Sequence, residues 1–336
     1  MLSLSQLSRF ATHLVRGALL ITPLLLSNSL HAEKIKVGYW TSGFSLGFGA
    51  VMEQLKFAEK EGLEIEWVKF ADVNAPLRAI VPQAIDLAFA APSTAAMSIA
   101  AEGVPVKIVL ATQIAEAQIV VPAGSPIKSL ADLKGKKIGM SPPGSATHAI
   151  LGAVLEGTYG LKASDYSVVP GNEGRLWQFI AQKEVDAASI RSVTLAQMSD
   201  EVKFSTIANV VDEWKKLTKN SALPILAVTI VHQDYLSKQP EAVAKFIAAT
   251  RKALEYGAKN KDKVAEILQK TANMSAEDAK AYAGQWNSAY MASFEAADVA
   301  SLKRMHAIRK AMGAVKIDPP DTTFVTEPFQ KSKQIK

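Results

Sequence analysis

The sequence predicts an α/β protein of two lobes, each a mostly parallel sheet flanked by helices, with a helical C-terminal tail. Short β-type runs alternate with helical segments from residue 35 to residue 111, and the same alternation starts again after residue 115. After one more strong β-type run at residues 225–231, the pattern is almost entirely helical. This order of elements favours a chain that builds one lobe, crosses to the second, and returns.

The first lobe is predicted from runs of β-branched and large apolar residues. They indicate strands at residues 35–40, 63–68, 86–90 and 106–111. Helical spacing through Val51, Leu55 and Ala58 follows the first strand, and further helices are expected at 75–82 and 93–101. We assign residues 33–113 to the first part of this lobe.

The second lobe is assigned to residues 114–222, where the alternation is repeated. Strands are expected at 118–121, 168–169 and 185–190, with a short helix, a glycine turn and a strand between 129 and 140. Helices are expected at 146–159 and 175–182. Residues 223–336 then return to the first lobe, where two apolar helical stripes, beginning at Val243 and Val299, predict core packing.

The first 32 residues have the pattern of a signal peptide. Arg9 and Arg16 are followed by an apolar run from Gly17 to Leu26, and a polar stretch ends at Ala32. The apolar run has 10 residues, whereas a membrane-spanning helix needs about 20. We therefore expect export and cleavage near Ala32; a membrane anchor is the alternative.

The composition excludes several classes of function. The chain has no cysteine, which removes disulfides, thiolate catalysis, thiolate zinc sites and lipid attachment through an N-terminal cysteine. The net charge is +6, but the lysines and arginines are scattered and form no basic block interleaved with aromatic residues. The histidines show no metal-ligand spacing. We therefore expect no nucleic-acid binding, no metal, no cofactor and a monomer.

Four predicted strand–helix junctions carry hydroxyl groups, an imidazole or a fixed cation. In open parallel sheets, ligands bind beyond the carboxyl ends of the strands, where helix N-termini favour anions. Because two junctions come from each lobe, we expect them to meet in a cleft. The candidate ligand-binding residues are Thr41, Ser42, Ser93, Thr94, Ser145, Thr147, His148 and Arg191.

Simpler interpretations of these residues remain open. The hydroxyl groups are also what ordinary helix N-caps require, and His148 could pack inward. Arg191 follows an apolar strand and would offer a planar fork to a carboxylate or sulfonate, but it could equally form a surface salt bridge. Trp40 and Phe44 could form a cleft wall or belong to the core.

The glycines at 43, 47 and 49 do not complete a phosphate-binding or dinucleotide-binding motif, because Ala50 and Met52 stand where those motifs need Lys or Gly. They are interpreted as positions where backbone approaches a ligand.

Five segments in order resemble the nitrate/sulfonate/taurine family of ABC transporter periplasmic substrate-binding proteins. The segments are residues 35–42, 79–101, 127–138, 144–148 and 234–243. The resemblance implies a two-lobed periplasmic binding-protein fold (type II) and a small anionic ligand: a sulfonate such as taurine or an alkanesulfonate, nitrate, or a carboxylate. It also implies a periplasmic location, a permease and ATPase as partners, and no catalysis.

The sequence departs from the family pattern at two expected ligand loops. Pro92 precedes Ser93 instead of following the hydroxyl pair, and residues 189–192 read Ser-Ile-Arg-Ser. The alternative function is a thiamine-pyrimidine-precursor binding protein or a synthase-like enzyme on the same fold. Such synthases are cytosolic and use a cysteine-rich iron motif, which the predicted signal peptide and the absence of cysteine argue against.

Overall fold

Residues 33–41, 43–143, 145–198 and 202–335 are described by the computed structural model. The predicted signal peptide and the candidate Ser42 lie outside these ranges. Within them, no helix combines the length and the apolar character that crossing a membrane requires.

The described chain alternates strands and helices as far as residue 232 and is then mainly helical. The strands are β1 (Glu33–Trp40), β2 (Leu63–Phe70), β3 (Leu87–Pro92), β4 (Val106–Ile114), β5 (Gln118–Pro122), β6 (Lys137–Met140), β7 (Ser167–Pro170), β8 (Ala187–Ile190), β9 (Phe204–Asn209), β10 (Ile225–His232) and β11 (Tyr290–Ser293). The helices are α1 (Gly43–Gln54), α2 (Phe57–Lys60), α3 (Ala75–Ile80), α4 (Ser93–Ala101), α5 (Ala146–Tyr159), α6 (Glu173–Ala181), α7 (Ser192–Met198), α8 (Val210–Thr218), α9 (Gln233–Lys238), α10 (Pro240–Lys259), α11 (Lys261–Ala272), α12 (Ala276–Gly284), α13 (Trp286–Ala289), α14 (Ala296–Ala311) and α15 (Glu327–Ser332). Single turns of 3-10 helix lie at Leu130–Leu133, Ala163–Asp165 and Asp321–Thr323.

These strands form two sheets, and the predicted two-sheet α/β fold is confirmed. The first sheet has the order β11-β4-β10-β3-β1-β2 and the second β7-β6-β8-β5-β9. Both sheets are mixed. In the first, β1 pairs in parallel with β2 and β3, whereas β10 is antiparallel to β3 and β4. In the second, β6 is parallel to β7 and β8, whereas β5 is antiparallel to β8 and β9.

We call the first sheet with its helices lobe 1 and the second sheet with its helices lobe 2. The chain passes from β4 to β5 through residues 115–117 and returns from α8 to β10 through residues 219–224. Each passage inserts one strand, β5 or β10, against the direction of its neighbours, which explains why the sheets are mixed. The predicted boundary at residue 113 lies just before the first passage, and the predicted boundary at residue 222 lies within the second.

Two edge strands escaped the sequence prediction. β9 lies at one edge of the second sheet, and it is largely polar and only partly buried. β11 has four residues, lies at an edge of the first sheet, and follows a run of helices. Short edge strands need neither a long apolar run nor strict alternation, so their sequence signal is weak.

Two of the three clustered glycines allow aromatic side chains to pack against α1. A Cβ on Gly47 would lie 2.5 Å from the Tyr290 hydroxyl, and one on Gly49 would lie 2.6 Å from the Tyr39 ring. Real Cβ atoms essentially never come so close to a neighbour. Gly47 and Gly49 therefore make room for aromatic side chains in the core of lobe 1. The interpretation that they let the backbone approach a ligand is wrong for these two positions.

A buried cation lies on α14. Arg309 is only 7% exposed, and its Nη1 donates to the Thr94 carbonyl oxygen at 3.2 Å. Its Nε finds no hydrogen-bond partner in the described part of the chain. Burial lowers the pKa of Arg309, so its charge is held at a cost in desolvation.

Replacing Arg309 with methionine is therefore expected to raise the free energy of unfolding by about 1 kcal/mol. The Thr94 carbonyl oxygen keeps a partner, because the Ser98 hydroxyl donates to it at 3.0 Å. Denaturant unfolding measures the change, and Arg304→Met, at an exposed position of the same helix, is the control. A loss of 1 kcal/mol or more would show that the guanidinium stabilises the fold.

Candidate ligand-binding cavity

A small cavity lies between the lobes at the carboxyl ends of β1, β3 and β8. Its volume is about 90 Å³. The cavity is lined by Trp40, Phe44, Ala90, Pro92, Gln113 and Arg191, together with four further residues of lobe 1. Among the described residues of this lining, Arg191 is the only one from lobe 2 and the only charged one. The cavity therefore combines apolar walls with a single fixed cation, as ligand pockets commonly do.

Arg191 directly follows β8 and reaches across to lobe 1. Its guanidinium carbon lies 5.0 Å from the centre of the Phe44 ring, which is the range of a cation–π contact. The side chain is 23% exposed, so it is largely withdrawn from solvent. Nε lies 3.5 Å from Glu173 Oε1, and this nitrogen makes no hydrogen bond within the described residues. The guanidinium thus retains donor capacity for a ligand.

Two carboxylates hold the turn that carries Arg191. Glu173 accepts hydrogen bonds from the Arg191 N–H at 3.0 Å and from the Thr194 hydroxyl at 3.3 Å. Glu116, in the passage between the lobes, accepts from the Ser192 N–H at 3.2 Å and from the Ser192 hydroxyl. Burial raises the pKa of Glu116. The turn is therefore positioned from two sides and the Arg191 backbone is held in place.

Phe44 is held equally firmly on lobe 1. The Tyr290 hydroxyl donates to the Phe44 carbonyl oxygen at 2.6 Å. The Tyr282 and Tyr290 rings meet Phe44 edge to face, with centroids 5.1 and 5.7 Å away. Burial raises the pKa of both tyrosines, which keeps them neutral. The aromatic ring under Arg191 therefore belongs to a rigid cluster.

The lobes also touch beside the cavity. Val193 of α7 is buried in the apolar cluster that lobe 1 builds around Phe44 and Phe48. α7 also contacts α12. Together with the Arg191–Phe44 contact, this packing joins the two lobes beside the cavity.

Three lobe 1 candidates within the described residues, Thr41, Ser93 and Thr94, do not line this cavity. The Ser93 hydroxyl is fully buried and donates to the Ile225 carbonyl oxygen at 2.8 Å, and Thr94 is buried beside it. The Thr41 hydroxyl donates to the Phe70 carbonyl oxygen at 3.1 Å and borders a separate cavity of about 480 Å³. Ser93 and Thr41 are therefore committed to backbone carbonyls in this conformation.

The lobe 2 hydroxyls cap a helix. Ser145 accepts the His148 N–H at 3.3 Å at the start of α5, and Thr147 lies 3.4 Å from the same oxygen. His148 Nδ1 lies 3.2 Å from the Ser141 carbonyl oxygen, which can only accept, so Nδ1 carries the proton. Burial lowers the pKa of His148, which favours the neutral ring. None of the three lines the cavity, and their ligand role stays a prediction.

Sequence reasoning missed Ser45 and Gln113, which line the cavity from lobe 1. Gln113 follows the apolar run of β4 at the strand end next to the passage between the lobes. Gln113 could have been found from the sequence, because it is a polar residue at the carboxyl end of a predicted strand, as the other candidates are. Ser45 is within α1, where its spacing suggests only a helix.

Solved structures define the class of fold. The periplasmic aliphatic sulphonate-binding protein of Escherichia coli superposes with a TM-score of 0.71 at 19% identity, over 87% of this chain and 90% of that chain. The periplasmic nitrate-binding protein of Synechocystis superposes with a TM-score of 0.62 at 13% identity, over 90% and 89%. The chain therefore has the fold of the periplasmic substrate-binding proteins that serve ABC importers.

Residues 51–264 match the family model described as NMT1/THI5 like, and the chain belongs to this family. The taurine-binding periplasmic protein of Escherichia coli K12 is 25% identical over 267 residues, 77% of this chain and 78% of that protein. A protein of Brucella abortus, described only as a binding protein, is 27% identical over 237 residues, 70% of each chain. These relatives are binding proteins, as the sequence resemblance predicts.

Proposed function

We propose that this protein is the solute-binding component of an ABC importer and captures a small anionic organic compound between its lobes. The observation that carries the proposal is Arg191, a fixed cation in a small cavity whose other described lining residues are uncharged. Its Nε lacks a hydrogen-bond partner among the described residues. A sulfonate or carboxylate presents two oxygens that match the guanidinium fork.

The size of the cavity restricts the ligand. Pockets for drug-sized molecules measure about 300–1,000 Å³, whereas this cavity measures about 90 Å³. A compact anion with few heavy atoms suits it. Short sulfonates such as taurine, nitrate and small carboxylates remain the candidates.

The location and partners are part of the same proposal. Removal of residues 1–32 would release the mature protein into the periplasm, where a permease with its ATPase would receive the ligand. The periplasmic names of the relatives support this placement. We propose a monomer that performs no catalysis and binds no nucleic acid.

Membership of the NMT1/THI5-like family favours one second candidate. A thiamine pyrimidine precursor would place its flat ring against Trp40 and Phe44, which face the cavity. This candidate makes the aromatic walls the main contact and leaves Arg191 secondary.

A thermal-shift screen separates the two candidates. We expect a short sulfonate, nitrate or a small carboxylate to raise Tm, because a ligand at 100 times its Kd adds about 2.7 kcal/mol to the free energy of unfolding. An aminopyrimidine should leave Tm unchanged, as should sodium chloride at equal ionic strength. A shift with the pyrimidine alone would replace the anion proposal with the second candidate.

A further inference from the structure

The cavity contains a hydrogen-bond acceptor whose orientation is set by an irregularity in β3. Across the β3–β10 pair, Ala91 faces Val228 and Ala88 faces Ile230, so two residues of β3 oppose Thr229 alone. This is a β-bulge. Ala90, within it, has a φ of +54°, a conformation that non-glycine residues rarely adopt. The bulge takes the Ala90 carbonyl out of the regular ladder, where the Ser45 hydroxyl donates to it at 3.2 Å.

That hydrogen bond determines the direction of the next one. A carbonyl oxygen can only accept, so the single proton of the Ser45 hydroxyl is committed to Ala90. The bond of 3.1 Å between Ser45 Oγ and the Gln113 side chain must therefore be donated by Gln113. Only the Nε2 group of the amide can donate. Ser45 and Gln113 are each 3% exposed, so water does not compete for these bonds.

The amide of Gln113 is thus held with its nitrogen toward Ser45. Its oxygen, Oε1, accepts no hydrogen bond from the described residues, and Gln113 lines the cavity. Arg191 on the opposite lobe offers donors only. The cavity therefore presents a cation on one side and a pre-oriented acceptor on the other.

We infer that the ligand carries an N–H or O–H donor in addition to its anionic group, and that Gln113 selects for this donor. The inference rests on the proposed function, since Arg191 receives the anionic group. An anion substituted with an amino or hydroxyl group satisfies both sides. An anion without a donor would leave Oε1 unpaired on a side chain that is only 3% exposed, which is a strong basis for rejection.

The test compares ligands of equal size by calorimetry: 2-hydroxyethanesulfonate against propanesulfonate, and glycolate against propionate. The wild-type protein should prefer the hydroxyl-bearing member of a pair by about 10- to 100-fold. Gln113→Leu, which keeps the volume but removes the acceptor, should abolish the preference. Ser45→Ala keeps Gln113 but frees its amide to rotate, so it should reduce the preference for the hydroxyl-bearing member of each pair.

The possible results distinguish the role of Gln113 from the proposal that the ligand is an anion. Equal affinity for both members in the wild-type protein, or a preference that survives in both variants, overturns the role of Gln113 and leaves the anion proposal standing. If no member of either pair binds and the wider panel of anions also fails, the proposed function is overturned with it. Should Gln113→Leu not fold, the Ser45→Ala result decides, because that change removes one hydroxyl group from the interior of α1.

Discussion

Replacing Arg191 with alanine is expected to weaken ligand binding by on the order of 2–5 kcal/mol. The anionic group would lose the one cation among the described lining residues, and that side chain is only 23% exposed. The change would also leave Glu173, now 3.5 Å from Arg191 Nε, without its counter-charge beside the ligand. Arg191→Lys should recover only part of the affinity, because an ammonium group supplies a point charge and no planar fork.

Isothermal titration calorimetry measures the effect with any anion that the thermal-shift screen identifies. Arg175→Ala is the matched control, because Arg175 is an exposed arginine of the same lobe and its removal changes the net charge equally. The Arg175→Ala variant should bind the anion with the affinity of the wild-type protein. Unchanged affinity in Arg191→Ala would show that Arg191 acts only as a bridge between the lobes.

Replacing Gly257 with alanine should destabilise lobe 1 by about 2–3 kcal/mol, near the upper part of the range for an overpacked core. A Cβ at this position of α10 would lie 2.2 Å from Cε2 of Trp286. The indole cannot yield easily, since Trp286 is fully buried and its Nε1 donates to the Leu254 carbonyl oxygen at 2.9 Å. Phe48 and Tyr290 pack against the same ring.

Denaturant unfolding again provides the measurement. Gly284→Ala is the control, because a Cβ at this position would meet no atom within 4 Å apart from its chain neighbours and its own helix backbone. Alanine there should leave the free energy of unfolding unchanged or raise it by up to about 1 kcal/mol. In a Trp286→Leu background the cost of Gly257→Ala should shrink, since the two positions are in contact. An equal cost in both backgrounds would place the strain elsewhere.

Local sequence rules located two helices to the residue. α4 begins at Ser93, directly after Pro92, and α5 runs from Ala146 to Tyr159, both as predicted. α5 begins after a serine whose side chain caps it and ends at Gly160 with a φ of +69°. Such signals act within a few residues, so the sequence alone carries them. The edge strands β9 and β11 lack comparable signals.

Local sequence patterns also identified some residues of the candidate site and missed the role of others. Arg191 was identified because a charged residue directly follows an apolar strand, and that pattern is local. The structural role of Ser93 was not identified, because its hydroxyl donates to the carbonyl oxygen of Ile225, 132 residues away in the chain. A hydroxyl at a helix start has the same sequence pattern whether it caps the helix, binds a ligand or supports a distant strand.

By itself the sequence determined the α/β class and the restart of the pattern in a second lobe, and it singled out Arg191 as a candidate cation, because periodicity and strand ends depend on neighbours along the chain. Only the tertiary structure decided that Phe44 lies under Arg191 and that the Gln113 side-chain nitrogen donates to Ser45 beside the cavity. The orientation of Gln113 depends on Ser45, 68 residues earlier, and on a bulge in β3 opposite Thr229. Hydrogen-bond direction is set by which groups meet in space, and residues so far apart in the chain meet only after the strands have paired.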